Sequence, residues 1–132
     1  MRYLFLLLIL SVSYFYVESQ TISKVFLNSN DSTVNQYTVV LPSTGTKGVL
    51  ILLPGFGENA ERVLAQTALP VLAAKNGLLT IIPTLQDGVI SFGVDSASQS
   101  CLSNIIKDVS ARYNTEKNKL YIEGFLFAAG VL

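Results

Sequence analysis

Two short glycine-bearing stretches hold the residue types that could do chemistry, "LLPGFGEN" at Leu52–Asn59 and "IEGFLFAAG" at Ile122–Gly130. Each leaves an apolar run that reads as a buried strand, bends at glycine, and passes into residues that read as a helix start. The first turns of a helix leave backbone N–H groups without intrahelical partners, so such bends favour a negative charge developing on a bound oxygen. Attack on a carbonyl would also need a hydroxyl or thiol. The second bend carries neither: from Ile122 to Gly130 every residue but Glu123 is apolar or glycine.

The remaining inventory narrows the chemistry. The 132 residues include no His, so imidazole is not available to them as a general base or a zinc ligand. The single cysteine, Cys101, has no intrachain disulfide partner and reads as a packed thiol beside an apolar helix stripe. Glu58 and Glu61 stand at a helix start, where carboxylates suit the dipole better than they suit catalysis. Asp87 and Asp95 read as loop and cap residues, and Glu123 as a carboxylate near the exposed end of its strand. Nine basic and nine acidic residues cancel without local clusters, so no field draws the chain to nucleic acid or to an anionic lipid surface. Nothing calls for a cofactor or a metal.

These stretches need a scaffold, and the pattern supplies one. Half of the residues are hydrophobic and 14% are charged, which fits a packed domain. Residues 1–19 read as a signal peptide: Arg2, an apolar run from Tyr3 to Val17, then Val17-Glu18-Ser19 before a cleavage point at Gln20. The run is shorter than the roughly 20 residues that cross a bilayer, although an uncleaved anchor is the competing reading. Cleavage implies a secreted chain, off the membrane, and leaves its charge balanced. From Gln20 onward "SKVFLNS" and "NQYTVVLPS" flank a turn-forming cluster and predict an antiparallel hairpin. Within that cluster Asn30-Asp31-Ser32 is either a plain turn or a glycosylation acceptor.

"VLILLP" predicts a strand buried on both faces. Asn59 predicts the cap of a following helix with Ala60, Val63, Leu64 and Thr67 on one face. Pro70 breaks that helix and starts a second piece with Val71, Leu72 and Ala74 inward, closed by Gly77. "LLTIIP" is the next buried strand, and residues 84–95 form a long loop suited to lining a cleft. Leu102, Ile105, Ile106, Val109 and Tyr113 predict a helix over about 96–113, capped by Asp95 or Ser96. A third buried strand is expected over 119–125. A hairpin followed by strand–helix–strand–helix–strand predicts an α/β fold, with three parallel strands and helices on both faces.

In this setting the chain resembles the amino-terminal half of an α/β-hydrolase, similar to secreted carboxylesterases, feruloyl esterases and polyhydroxyalkanoate depolymerases. The resemblance covers residues 35–126, within a partial domain of residues 20–132. It implies that "PGFG" is the oxyanion turn, with the backbone N–H of Phe56 forming half of the oxyanion hole and that of Phe127 the other half. It also implies a Gly-x-Ser-x-Gly nucleophile elbow, which here reads Gly124-Phe125-Leu126-Phe127-Ala128. The first glycine is kept, while Leu126 replaces the serine and Ala128 the last glycine. No catalytic residue is therefore intact, and the family's acid and histidine belong to later strands. The implied reading is a truncated ester hydrolase, inactive as written, that binds at most a small ester-type ligand and associates with itself through an open sheet edge. The alternative is a non-catalytic secreted binding module on the same fold.

Overall fold

The computed structural model describes residues 20–27, 36–55, 58–84, 96–115 and 119–124. Among these described residues five strands form one sheet: β1 (Thr21–Phe26), β2 (Gln36–Leu41), β3 (Gly48–Leu53), β4 (Leu78–Thr84) and β5 (Leu120–Gly124), in the order β1-β2-β4-β3-β5. β1 and β2 pair antiparallel as the expected hairpin, and β2 runs antiparallel to β4. β4, β3 and β5 are mutually parallel, with β3 in the middle. All six residues of β3 are buried, as its unbroken apolar run predicts.

The period of two along each strand sends side chains to two different cores. Val49, Ile51 and Leu53 of β3 join Leu79 and Ile81 of β4 and Tyr37 and Val39 of β2 in one cluster. That face is covered by α3 (Ser96–Tyr113), which inserts Cys101, Leu102, Ile105 and Val109, with Ile106 and Tyr113 half-buried at its margin. Helix α3 spans the predicted residues; Asp95, the other proposed cap, lies outside the described residues. On the opposite face Leu52 and Ile82 pack against Ala60 and Val63 of α1 (Ala60–Gln66).

The start of α1 is built as expected. Asn59 Oδ1 accepts the Arg62 N–H at 2.9 Å, satisfying one of the orphan donors of the first turn. Its end differs from expectation. Thr67 does not extend the buried stripe but terminates the helix, and its hydroxyl accepts the Leu69 N–H at 3.1 Å. The chain restarts as α2 (Leu69–Lys75), with Pro70 in its first turn, where no N–H is needed. The restart resets the helical phase. Pro70, Ala73 and Ala74 are buried on β4 and β2, whereas Val71 and Leu72, expected to face inward, are exposed. Pro70, Ala73, Ala74 and Gly77 follow the i, i+3, i+4, i+7 spacing of one face, and their small side chains let the helix lie close to the sheet.

Gly77 closes α2 at φ +80°, in the left-handed region that its missing Cβ permits, and its carbonyl accepts the Lys47 N–H at 2.8 Å. β5 also departs from expectation. It is an edge strand among the described residues, one side of which faces solvent: Tyr121 and Glu123 are exposed, and only Ile122 packs partly beneath α3. α1 and α2 pack over β3, β4 and β2.

The turn at Gly77 makes a quantitative expectation. Gly77→Ala, which forces a Cβ into the left-handed region, lowers unfolding free energy by roughly 1 kcal/mol. Gly45→Ala, at a position with nothing within 4 Å of the added carbon, changes it by less than about 0.5 kcal/mol. Urea denaturation of the two variants beside the parent chain checks the contrast.

Candidate functional site

The site is set by the register of three parallel strands. Leu53 of β3 is the pairing partner of Gly124 of β5, and Ile51 of β3 is level with Ile81 of β4. β3 therefore runs into Pro54-Gly55, β5 reaches Gly124, and β4 reaches Thr84 along one carboxyl edge, with the β3 and β5 exits on adjacent strands. This is the edge at which parallel sheets present ligand sites. Gly55 is buried, and its carbonyl accepts the Glu58 N–H at 3.0 Å just ahead of the Asn59 cap. Phe56, Leu126 and Phe127, which the resemblance assigns to the oxyanion hole and the nucleophile position, lie outside the described residues, as do Asp87 and the 85–95 loop.

Two carboxylates near this edge, Glu58 and Glu61, are engaged. Glu58 Oε1 accepts a hydrogen bond from Gln66 Nε2 at 2.9 Å, bracing the turn against α1. Glu61 pairs with Lys24 of β1 at 2.6 Å, but both side chains are more than half exposed, so the pair adds little stability. Cys101 is buried with its Sγ 3.9 Å from the Thr84 carbonyl, and burial pushes its thiol up from the ordinary value. That disfavours the thiolate and fits the packed reading. Glu123 stands exposed beside Gly124, as expected for a carboxylate near the end of its strand. Among the described residues no group of three or more His, Cys, Asp or Glu is placed to hold a metal.

One polar network escaped the sequence reading. Tyr37 donates its phenol proton to Asp108 Oδ2 at 2.6 Å, and Arg112 grips the same carboxylate through Nε at 3.1 Å and Nη2 at 3.0 Å. The i, i+4 spacing of Asp108 and Arg112 and a tyrosine within an apolar strand were the available signals. Burial, reinforced by the Asp108 carboxylate, pushes the Tyr37 phenol well above its usual range. Burial alone would raise Asp108 as well, but the hydrogen bonds from Arg112 and Tyr37 outweigh it and hold the carboxyl below its usual range. The network ties β2 to α3; Tyr37 lies level with Pro83 of β4, on a strand separated from β3 by β4. A shallow apolar recess lined by Val49, Ile105, Ile106, Val109 and Leu120 lies near the opposite, amino ends of β3 and β5.

No protein-family profile matches the sequence, and no curated protein matches it. Solved structures do match its fold. A fluorophosphonate-binding serine hydrolase of Staphylococcus aureus superposes with a TM-score of 0.66 at 15% identity, over 83% of this chain and 48% of its own. An acetyl xylan esterase from Aspergillus awamori gives 0.67 at 13% identity, over 83% of this chain and 44% of its own. An S-formylglutathione hydrolase of Staphylococcus aureus gives 0.59 at 17% identity, over 80% and 49%. The chain thus has the fold of the amino-terminal half of an α/β-hydrolase, and it spans about half the length of the solved structures it matches.

The network makes a pH expectation. Asp108 has a folded pKa below its unfolded value, so its contribution is complete above the ordinary carboxylate range and is lost as pH falls through the folded pKa. Tyr37 is raised, so its contribution is present below about pH 10 and lost as pH climbs beyond it. Asp108→Asn should flatten the fall in stability between about pH 5 and pH 2 relative to the parent, which urea midpoints measured across that range check.

Proposed function

We propose that this chain, built on the amino-terminal half of an α/β-hydrolase fold, carries the oxyanion-binding side of a carboxylic-ester hydrolase site, and that its 132 residues alone do not turn over esters. The observation that carries the proposal is the adjacency of the two glycine exits, Gly55 after β3 and Gly124 at the end of β5, on neighbouring parallel strands. Fold neighbours named as a serine hydrolase, an esterase and a hydrolase support an ester-hydrolase ancestry.

The chemistry follows from the assigned roles. In an ester hydrolase of this type a serine attacks the carbonyl, and two backbone N–H groups stabilise the oxygen as it becomes anionic. The N–H groups of Phe56 and Phe127 take that second role, since a backbone donor is independent of its side chain. The first role is vacant: Leu126 occupies the nucleophile position, and with no histidine in the 132 residues no imidazole would draw the proton from a serine placed there. What remains is a pocket able to hold the oxygen of a small ester-type ligand. Residues 1–19 serve export, so the ligand is met outside the cell.

The expected outcome with p-nitrophenyl acetate and butyrate is the buffer rate for the unmodified chain, with no covalent labelling by a fluorophosphonate. Leu126→Ser should gain no more than the share of an oxyanion hole, about 10²–10³ over background, and show no dependence on a group titrating near neutral pH. Turnover by the unmodified chain together with stoichiometric labelling would refute the reading.

A further inference from the structure

Helix α2 ends on a reactive pair. Asn76-Gly77 is the one Asn-Gly sequence among the 132 residues, and Asn76 is exposed at the helix C-cap. A glycine carries no side chain to shield its backbone nitrogen, so that nitrogen can reach the side-chain amide of the preceding asparagine when the chain is free. In the fold both partners are held. Asn76 Nδ2 donates to the Leu72 carbonyl at 2.8 Å, and the Gly77 N–H donates to the Ala74 carbonyl at 3.0 Å. We propose that Asn76 is a modification site, deamidating spontaneously through a cyclic imide when the last turn of α2 opens, and that the product leaves that turn looser. The proposal does not rest on the ester-hydrolase reading.

The chemistry needs water alone. The Gly77 nitrogen gives up its proton and attacks Asn76 Cγ; the N–Cγ bond forms, the Cγ–Nδ2 bond breaks, and Nδ2 leaves as ammonia after taking up a proton. Water then opens the five-membered imide at either carbonyl, leaving aspartate or isoaspartate. No group is oxidised or reduced. While Gly77 donates to Ala74 and the amide to Leu72, the ring does not close, so the rate follows how often the turn opens. Opening is within reach. α2 has seven residues, its N-cap Ala68 supplies no side-chain bond, and the larger apolar residues Val71 and Leu72 face solvent while Pro70, Ala73 and Ala74 are buried. Either product weakens the turn. A carboxylate has no N–H to give the Leu72 carbonyl, and it adds negative charge at the negative end of the helix dipole. Isoaspartate also lengthens the main chain by one carbon beside Gly77, which already sits at φ +80°. Each conversion therefore makes further opening of α2 easier.

Ageing the 132-residue chain at neutral pH, folded and in denaturing guanidinium, with peptide mapping by mass spectrometry tests the proposal. In guanidinium Asn76 should convert faster than every other asparagine. In the folded chain its conversion should be measurable but slower, on the order of tenfold or more. Leu72→Gly, at an exposed position, weakens α2 while leaving the core side chains in place. It should quicken conversion in the folded chain roughly threefold and leave the denatured rate unchanged, with far-UV circular dichroism matching the parent to show that it folds. Asn76→Asp, one of the two products, should unfold at lower urea than the parent. Equal rates in the folded and denatured chain, a folded-state rate indifferent to Leu72→Gly, or an Asn76→Asp midpoint at or above that of the parent would each overturn the proposal.

Discussion

β3 is apolar along its whole length and buried at all six positions, which obliges the chain to supply a strand on each side and a helical layer on each face. The chain meets that demand with β4 and β5 as parallel neighbours, with α3 above and with α1 and α2 below. Parallel pairing then fixes direction: strands that start level finish level, so the exits of β3, β4 and β5 share one edge. The pairing of Leu53 with Gly124 is a consequence of that packing constraint and sets the geometry of the candidate site. The carboxyl ends of β3 and β5 are thus positioned by hydrocarbon burial some residues away.

The layers are held in place by local devices of different kinds. Asn59 caps α1, Thr67 ends it, and Gly77 turns the chain from α2 into β4. The Tyr37–Asp108–Arg112 network fastens β2 to α3 within an otherwise apolar layer, where an unpaired phenol or carboxylate would be costly. Its charged end is only partly buried: the Asp108 side chain is 24% exposed and that of Arg112 48%, so solvent screens part of the attraction. Its main effect is on which faces meet rather than on how strongly they hold.

Much of this was legible because it depends on local pattern. The unbroken apolar run at Val49–Pro54, the run Leu78–Pro83 interrupted only by Thr80, the spacing of Leu102, Ile105 and Val109, and the Asn59 and Gly77 signals each point to the element that forms. Three features were not legible. The inward face of α2 was misassigned because Pro70 restarts the helix and resets its phase, which hydrophobicity alone does not reveal: Val71 and Leu72 are the larger apolar residues, yet the small Ala73 and Ala74 are the buried ones. The exposure of Tyr121 and Glu123 in β5 depends on what covers that strand in the folded chain, a tertiary fact. The partnership of Tyr37 with Asp108 joins residues 71 positions apart and leaves no short-range trace. For the candidate site, the order and direction of the two bends were readable from the sequence; the residues proposed to bind the oxygen, Phe56 and Phe127, lie outside the described residues.

β3 and β5 end side by side at one edge of the sheet, Leu53 opposite Gly124. Isotope-edited NMR spectroscopy of the β3 and β5 backbones tests it most directly. Cross-strand NOEs linking Ile51, Leu52 and Leu53 with Ile122, Glu123 and Gly124 in parallel register are the predicted result. NOEs placing Gly124 beside Gly48, at the other end of β3, or pairing β5 with a different strand, would contradict the account.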